Sequence, residues 1–205
     1  MAVEKEKWVK QYEFYHKFYS DIPQLTSLQL ISSYDIGFNA EANDQGERKD
    51  ALRELSPVVL IDVRSKPERD VSIIPTSITL NDYENGIKSG AISLETDVVT
   101  YCTVGYRSGM EAQNIRQTYG TRVYSLDGIV AYTHTKGCKL TVSNERGNCE
   151  TKNVHTFASF WGDVDGSYVA KSFGPISYFY RSFEVIVRAS VLFIQKICLR
   201  CCKNN

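Results

Sequence analysis

VVTYCTVGYRSGMEAQNIRQTYGTRVYSL, residues 98–126, is the stretch that decides the fold. It opens with residues 98–102, β-branched and apolar on both faces, the pattern of a strand buried inside a parallel sheet. A turn containing Gly105 leads into a helix whose apolar positions Met110, Ala112, Ile115 and Tyr119 precede a stop at Gly120. A second strand pattern, TRVYSL, follows directly. Upstream, VVLIDV at 58–63 repeats the buried-strand pattern, residues 66–70 fit one helical turn before Pro75, and residues 77–80 fit a short strand. Strand, helix and strand joined by short connections predict an α/β domain with a mostly parallel sheet over residues 50–140.

The flanks read differently. Trp8, Tyr12, Tyr15 and Tyr19 recur at helical spacing among Lys and Glu, so residues 4–19 predict an amphipathic helix, closed by Asp21 and Pro23. A second short helix is predicted over 25–33, and residues 37–50 are polar and unpatterned, as a surface linker would be. Residues 1–49 are therefore taken as an N-terminal helical extension and linker. Residues 141–205 are taken as a C-terminal extension with an apolar helix and a Cys-rich tail. Its segment 176–199 is apolar except for a polar stripe of Arg181, Glu184, Arg188, Gln195 and Lys196. Such a helix either packs on the domain or on a second copy, or lies in a membrane surface with Lys196, Arg200 and Lys203 near the headgroups. Cys198, Cys201 and Cys202 beside those basic and apolar residues fit palmitoylation, where two chains anchor and one does not.

The 205 residues are 42% hydrophobic and 23% charged, enough for one core of ordinary size. Twenty-four basic and twenty-four acidic residues leave no net charge, so no nucleic-acid partner is expected. The amino terminus is charged from its fourth residue and lacks the apolar core of a secretory signal. Six cysteines are unevenly spread, with three at 198, 201 and 202, which is no disulfide framework. Reduced thiols and a cytoplasmic location are the expectation, and no run of apolar residues is long enough to predict a spanning helix.

Chemistry concentrates at Cys102, Thr103, Val104, Gly105, Tyr106, Arg107 and Ser108, between a buried strand and a helix. Ligands in parallel sheets bind beyond the carboxyl ends of the strands, which is where this loop falls. If it curls round Cys102, the amides from Thr103 to Arg107 converge on the sulfur or on a sulfur-bound anion. Gly105 permits the curvature, and the helix dipole with Arg107 favours thiolate over thiol. The plainer alternative is a small buried cysteine at a strand end. Cys138 and Cys149 are read as ordinary thiols, and His16, His134 and His155 as structural.

VVLIDVRSKPERDVSIIPTSITL, then VVTYCTVGYRSGMEAQNI, then VYSLDGIVAYTHTKGCKL, together resemble a single rhodanese domain from about residue 55 to residue 140. VHTFASFW resembles an extension carried by some relatives. The resemblance implies a parallel sheet flanked by helices and a sulfurtransferase that needs no metal or organic cofactor. Cys102 would take a sulfane sulfur from a donor such as thiosulfate as a persulfide and pass it to a thiol or cyanide. Thr103, Val104, Gly105 and Tyr106 would contribute loop amides and Arg107 a positive charge, while Asp62 and Arg64 match the family's strand-end Asp-x-Arg. Ser108 follows the loop at the helix start, positioned to satisfy free amides.

The family's His-Ile-Pro-Gly-Ala run reads here Ile73, Ile74, Pro75, Thr76, Ser77, without the His and the Gly. That departure favours the rival reading of a non-catalytic rhodanese-like binding module. Related phosphatases and arsenate reductases have five residues between the loop Cys and Arg. The four between Cys102 and Arg107 make a tighter ring, sized for one sulfur rather than a tetrahedral oxyanion.

Overall fold

The computed structural model of the chain describes residues 7–34, 58–144 and 147–174, with isolated helical positions at 177, 178, 187 and 190. Helix α1 (Lys7–His16) tightens into a 3-10 turn at Lys17–Tyr19, so the helix expected over 4–19 ends at His16, while residues 4–6 lie outside the described residues. Pro23 cannot continue a helix, and the chain passes into a two-residue strand β1 (Gln24–Leu25) and then α2 (Ser27–Tyr34). β2 (Val58–Asp62) leads to α3 (Lys66–Arg69), whose first turn is closed by a reciprocal Ser65–Glu68 capping box. β3 (Ile78–Thr79) passes directly into α4 (Leu80–Ser89), capped by Thr79 and Asp82 in the same way. β4 (Asp97–Tyr101), α5 (Tyr106–Tyr119), β5 (Val123–Leu126) and α6 (Ile129–Thr133) complete the α/β order.

All five of these strands run parallel in the order β1-β5-β4-β2-β3. β2 and β4 face each other with Val59 opposite Val98 and Asp62 opposite Tyr101. Alternation along the strands sends successive side chains to opposite faces. Leu60, Val99, Tyr101 and Leu126 pack on one face with Leu30, Ile129, Tyr132 and Leu140. Ile61, Val98 and Val123 pack on the other with Tyr83, Met110 and Ile115. Each Val, Leu or Ile side chain buried in this way contributes roughly 1.5–3 kcal/mol. The sheet, with helices on both faces, is the α/β architecture read from the sequence.

Residues after 140 add strands. β6 (Leu140–Asn144) and β7 (Gly147–Thr151) form an antiparallel pair, and β8 (Asn153–His155) pairs in parallel with β9 (Val169–Lys171). Cys149 lies on β7, where it is exposed. Of the apolar helix expected over 176–199, positions 177, 178, 187 and 190 are described, and they are helical; the rest of it, the tail Cys198, Cys201 and Cys202, and the linker at 37–50 lie outside the described residues. Among the described residues no helix is long and apolar enough to cross a membrane.

The N-terminal segment belongs to the sheet. β1 lies beside β5, and Ser27 donates from its N–H and Oγ to Asp127, at 3.2 and 2.6 Å. Burial pushes the Asp127 carboxyl up to about 6, against the pull of the Ser27 bonds. The carboxyl ends of β2, β4 and β5 gather at one edge, where Asp62, Cys102 and Asp127 follow one another across the sheet.

Candidate active site

β4 ends at Tyr101, and residues 102–105 turn the chain back into α5. Gly105 holds φ at +93°, a backbone region L side chains rarely adopt, and a Cβ there would sit 3.2 Å from the Tyr12 ring of α1. The Ile129 N–H donates to the Cys102 carbonyl at 2.9 Å and the Val130 N–H to the Thr103 carbonyl at 3.3 Å. The start of α6 thus ties down the loop carbonyls. The N–H groups from Thr103 to Ser108 meet no acceptor among the described residues. Unbonded amides at the positive end of a 14-residue helix suit a single negative charge.

Cys102 is buried at 1% exposure. Its Sγ lies 3.6 Å from Ser108 Oγ, which also lies 3.1 Å from the Gly105 carbonyl and accepts a hydrogen bond from Ser125 Oγ. Gly105, not Ser108, stands at the helix cap, so Ser108 faces the sulfur rather than capping the α5 amides. Its one proton can serve either the Gly105 carbonyl or a thiolate.

Gly128 supports the loop from behind, with φ at +104° and a notional Cβ 2.5 Å from the Thr103 carbonyl oxygen. Gly128→Ala is expected to destabilise the protein by about 3 kcal/mol, combining backbone strain with overpacking against the loop. A fall in the urea midpoint with an unchanged m-value would register it; an unaltered midpoint would mean the loop yields freely.

Arg107 donates to both carboxylate oxygens of Glu68, at 2.8 and 2.7 Å, and to Thr103 Oγ1 at 3.1 Å. Its guanidinium carbon sits 4.8 Å from the centroid of the Phe157 ring. Burial pushes the Glu68 carboxyl up, but the Arg107 bonds and charge, with the charge of Arg64, pull harder and hold it at about 2. Asp62 and Arg64 form a second pair, both buried, with Arg64 Nε and Nη2 on Asp62 and Nη2 also on the Ser72 carbonyl. Tyr101 Oη donates to Asp62 at 2.6 Å and accepts from the Ile74 N–H at 3.1 Å. This pair ties β2 and β4 to the Ile73–Ser77 segment, where Thr76 takes a left-handed φ of 67° at the position of the family's missing Gly.

The cover of the loop comes from outside the central domain. Phe157, itself at φ 63°, is held by its N–H donating to His155 Nδ1 at 3.0 Å. Burial pulls the His155 ring below its ordinary value, against the pull of Glu68. Tyr15 on α1 packs on Tyr106 and Trp161, and Tyr19 on Tyr106. The two flanks also grip each other, the Trp8 N–H donating to Asp163 at 2.9 Å and Gln11 to the Phe160 carbonyl, while the Trp8 ring stacks on His134 of the central domain.

The expected residues Cys102, Thr103, Val104, Gly105, Tyr106, Arg107 and Ser108 thus form one loop, with Asp62 and Arg64 in a buried pair at the end of the adjacent strand. Sequence reading missed Glu68, Phe157, Tyr12 and Tyr15 as parts of the site. Cys138 stands apart in the core near Tyr132 and Tyr168, and burial pushes its thiol up to about 12. Among the described residues no group of three or more His, Cys, Asp or Glu side chains is arranged to hold a metal.

A parallel α/β domain with a cysteine-led loop between strand and helix defines the class. Residues 44–134 match the family model of the rhodanese-like domain, so this stretch of the chain is a rhodanese-like domain. No curated protein matches the chain. Among solved structures it is similar to a thiosulfate sulfurtransferase from Pseudomonas aeruginosa (19% identity, TM-score 0.46, 69% of this chain and 25% of that one). It is also similar to the BH2092 protein from Bacillus halodurans (18%, 0.42, 65% and 86%) and to the polysulfide-sulfur transferase homodimer from Wolinella succinogenes (16%, 0.37, 62% and 84%).

Proposed function

We propose that the chain is a sulfurtransferase that moves a sulfane sulfur from a donor to a thiol or cyanide acceptor through a persulfide on Cys102. The observation that carries the reading is the loop itself: a cysteine at the end of a central strand, followed by amides with no acceptor among the described residues and by a helix start. The Cys102 thiolate attacks the outer sulfur of the donor, and the electron pair of the donor bond leaves with the departing group. With thiosulfate that group is sulfite; with a persulfide it is a thiolate. The loop amides stabilise the negative charge on the new persulfide, and Ser108 turns its proton toward it. An acceptor thiolate or cyanide then attacks the outer sulfur and restores Cys102. Arg107, fixed by Glu68, acts in this reading by setting the curvature of the loop.

Burial of Cys102 at 1% exposure favours a second reading, a non-catalytic module that uses the same surface for docking. Intact mass separates the two. After brief exposure to a sulfane-sulfur donor, either thiosulfate or cysteine persulfide, the reduced protein should gain about 32 Da, one sulfur, and Cys102→Ser should not. No gain from either donor on folded protein would leave the docking module as the better reading.

A further inference from the structure

Two buried serine hydroxyls lead to the sulfur. Ser125 Oγ, on β5, donates to Ser108 Oγ at 3.1 Å, and Ser108 Oγ stands 3.6 Å from Cys102 Sγ, within donor reach of an atom as large as sulfur. Cys102, Ser108 and Ser125 are buried at 1%, 0% and 1% exposure, so these groups answer to one another and not to bulk water. The backbone fixes their spacing. The Ser125 N–H donates to the Pro23 carbonyl at 3.0 Å, where β1 pairs with β5, and Ser125 stands opposite Thr100 of β4. Thr100 Oγ1 donates to the Ser108 carbonyl at 3.0 Å. Three parallel strands and the first turn of α5 thus hold the two hydroxyls in register.

A serine hydroxyl carries one proton and two lone pairs. Ser108 can therefore meet Cys102 in two ways, as an acceptor for the thiol S–H or as a donor to the thiolate. Ser125 occupies one of the Ser108 lone pairs and polarises its O–H, and both effects favour the donor role. The Gly105 carbonyl, 3.1 Å from Ser108 Oγ, is the rival acceptor while Cys102 is a thiol. A hydrogen bond to an ionised group is about twice as strong as one between neutral groups, so ionisation of Cys102 draws the Ser108 proton to the sulfur.

From this arrangement we infer that Ser125 is a positioning residue for Cys102, acting through Ser108 to hold that hydroxyl as a donor and so to favour the thiolate. The inference rests on Cys102 as the nucleophile of the proposed transfer. It gives the β5 strand, and not only the loop, a part in preparing the sulfur.

The test reads ionisation without any sulfur donor. Thiolate absorbance of the whole reduced chain is followed against pH, and the matching Cys102→Ser protein is subtracted to remove the other thiols and the tyrosines. In Ser125→Ala the half-ionisation point of Cys102 should move up by about half a pH unit or more, which is about a threefold loss of thiolate on its acid side. Ser125→Thr, which keeps a hydroxyl, should restore the wild-type point. Ser108→Ala should move it at least as far as Ser125→Ala does, and adding Ser125→Ala to Ser108→Ala should move it no further, because the cycle isolates what passes through Ser108. No displacement in folded Ser125→Ala, or the same displacement with Ser108 already removed, would overturn the inference. If Ser125→Ala does not fold, Ser125→Gly removes the same hydroxyl and is judged by the same two outcomes. The one-sulfur mass gain judges the transfer reading separately: a displaced titration without any mass gain would leave Ser125 positioning the thiolate and overturn the transfer, and a mass gain with an unmoved titration would do the reverse.

Discussion

Glu68→Gln should lower the stability of the fold by about 3 kcal/mol at neutral pH, and the deficit should shrink as the solution is acidified. Glu68 is fully buried, takes both hydrogen bonds of the Arg107 fork, and accepts from the Ser65 N–H and Oγ at 2.9 and 2.7 Å. Glutamine keeps the shape and one acceptor but removes the charge. Arg107, 14% exposed, is then left as a buried cation with no counter-charge, a situation that costs about 3–5 kcal/mol when one partner of a buried pair is deleted. The pH dependence follows from the direction of the carboxyl shift. Its folded value lies at about 2, below the ordinary 4.5, so its stabilising contribution is complete above about pH 4.5 and is lost as the pH falls toward 2. That displacement corresponds to about 3 kcal/mol. Urea unfolding of wild type and variant at pH 7 and pH 3 reads both statements. A gap of the same size at the two pH values would show that the loss is one of packing and not of charge.

The contrast between Glu68 and Cys102 shows what the sequence makes legible. Cys102 announces itself because its whole setting is local: a β-branched strand before it, Gly105 three residues on, and a helix after. Glu68 is visible locally only as the far half of a Ser65 capping box. Its partner Arg107 lies 39 residues away, and only the parallel pairing of β2 with β4 brings them together. Phe157 and Tyr12 are more distant still, and a ring that packs on a guanidinium or against a glycine leaves no periodic trace in the chain. The same physics sorts the strands. β2 and β4 are central, buried on both faces, and so read as continuous apolar runs. β1 is two residues long and fixed by its pairing with β5, too short for any periodicity to show. α4 was legible in principle from Thr79, Asp82 and the stop at Gly90, yet its sparse apolar residues do not advertise a helix.

Trp8→Ala should raise the alkylation rate of Cys102 by iodoacetamide about tenfold with little change in the global unfolding midpoint. Cys102 is 1% exposed, and the loop that holds it is packed by residues of the two flanks, Tyr12 against Gly105 and Phe157 over Arg107, so a reagent must wait for that packing to part. Among the described residues α1 spans Lys7–His16 and contains no buried residue, so its place is set by tertiary contacts rather than by propensity. The contacts that hold it down include Trp8 on His134, the Trp8 N–H on Asp163, Gln11 on the Phe160 carbonyl, Tyr12 Oη donating to Gln24 at 2.6 Å, and Tyr15 on Tyr106 and Trp161. An aromatic pair of this kind contributes about 0.5–1.5 kcal/mol beyond its buried area, enough to shift a local opening equilibrium by about tenfold when it is removed. The central sheet loses nothing, because its core residues lie elsewhere. The rate must be read on the Cys102 peptide, since Cys149 is exposed and reacts regardless. If Cys102 is alkylated at the wild-type rate in Trp8→Ala, α1 does not limit access, and the segment around Phe157 becomes the element that must move; the matching loss of cover in Phe157→Ala would then show the acceleration that Trp8→Ala lacked.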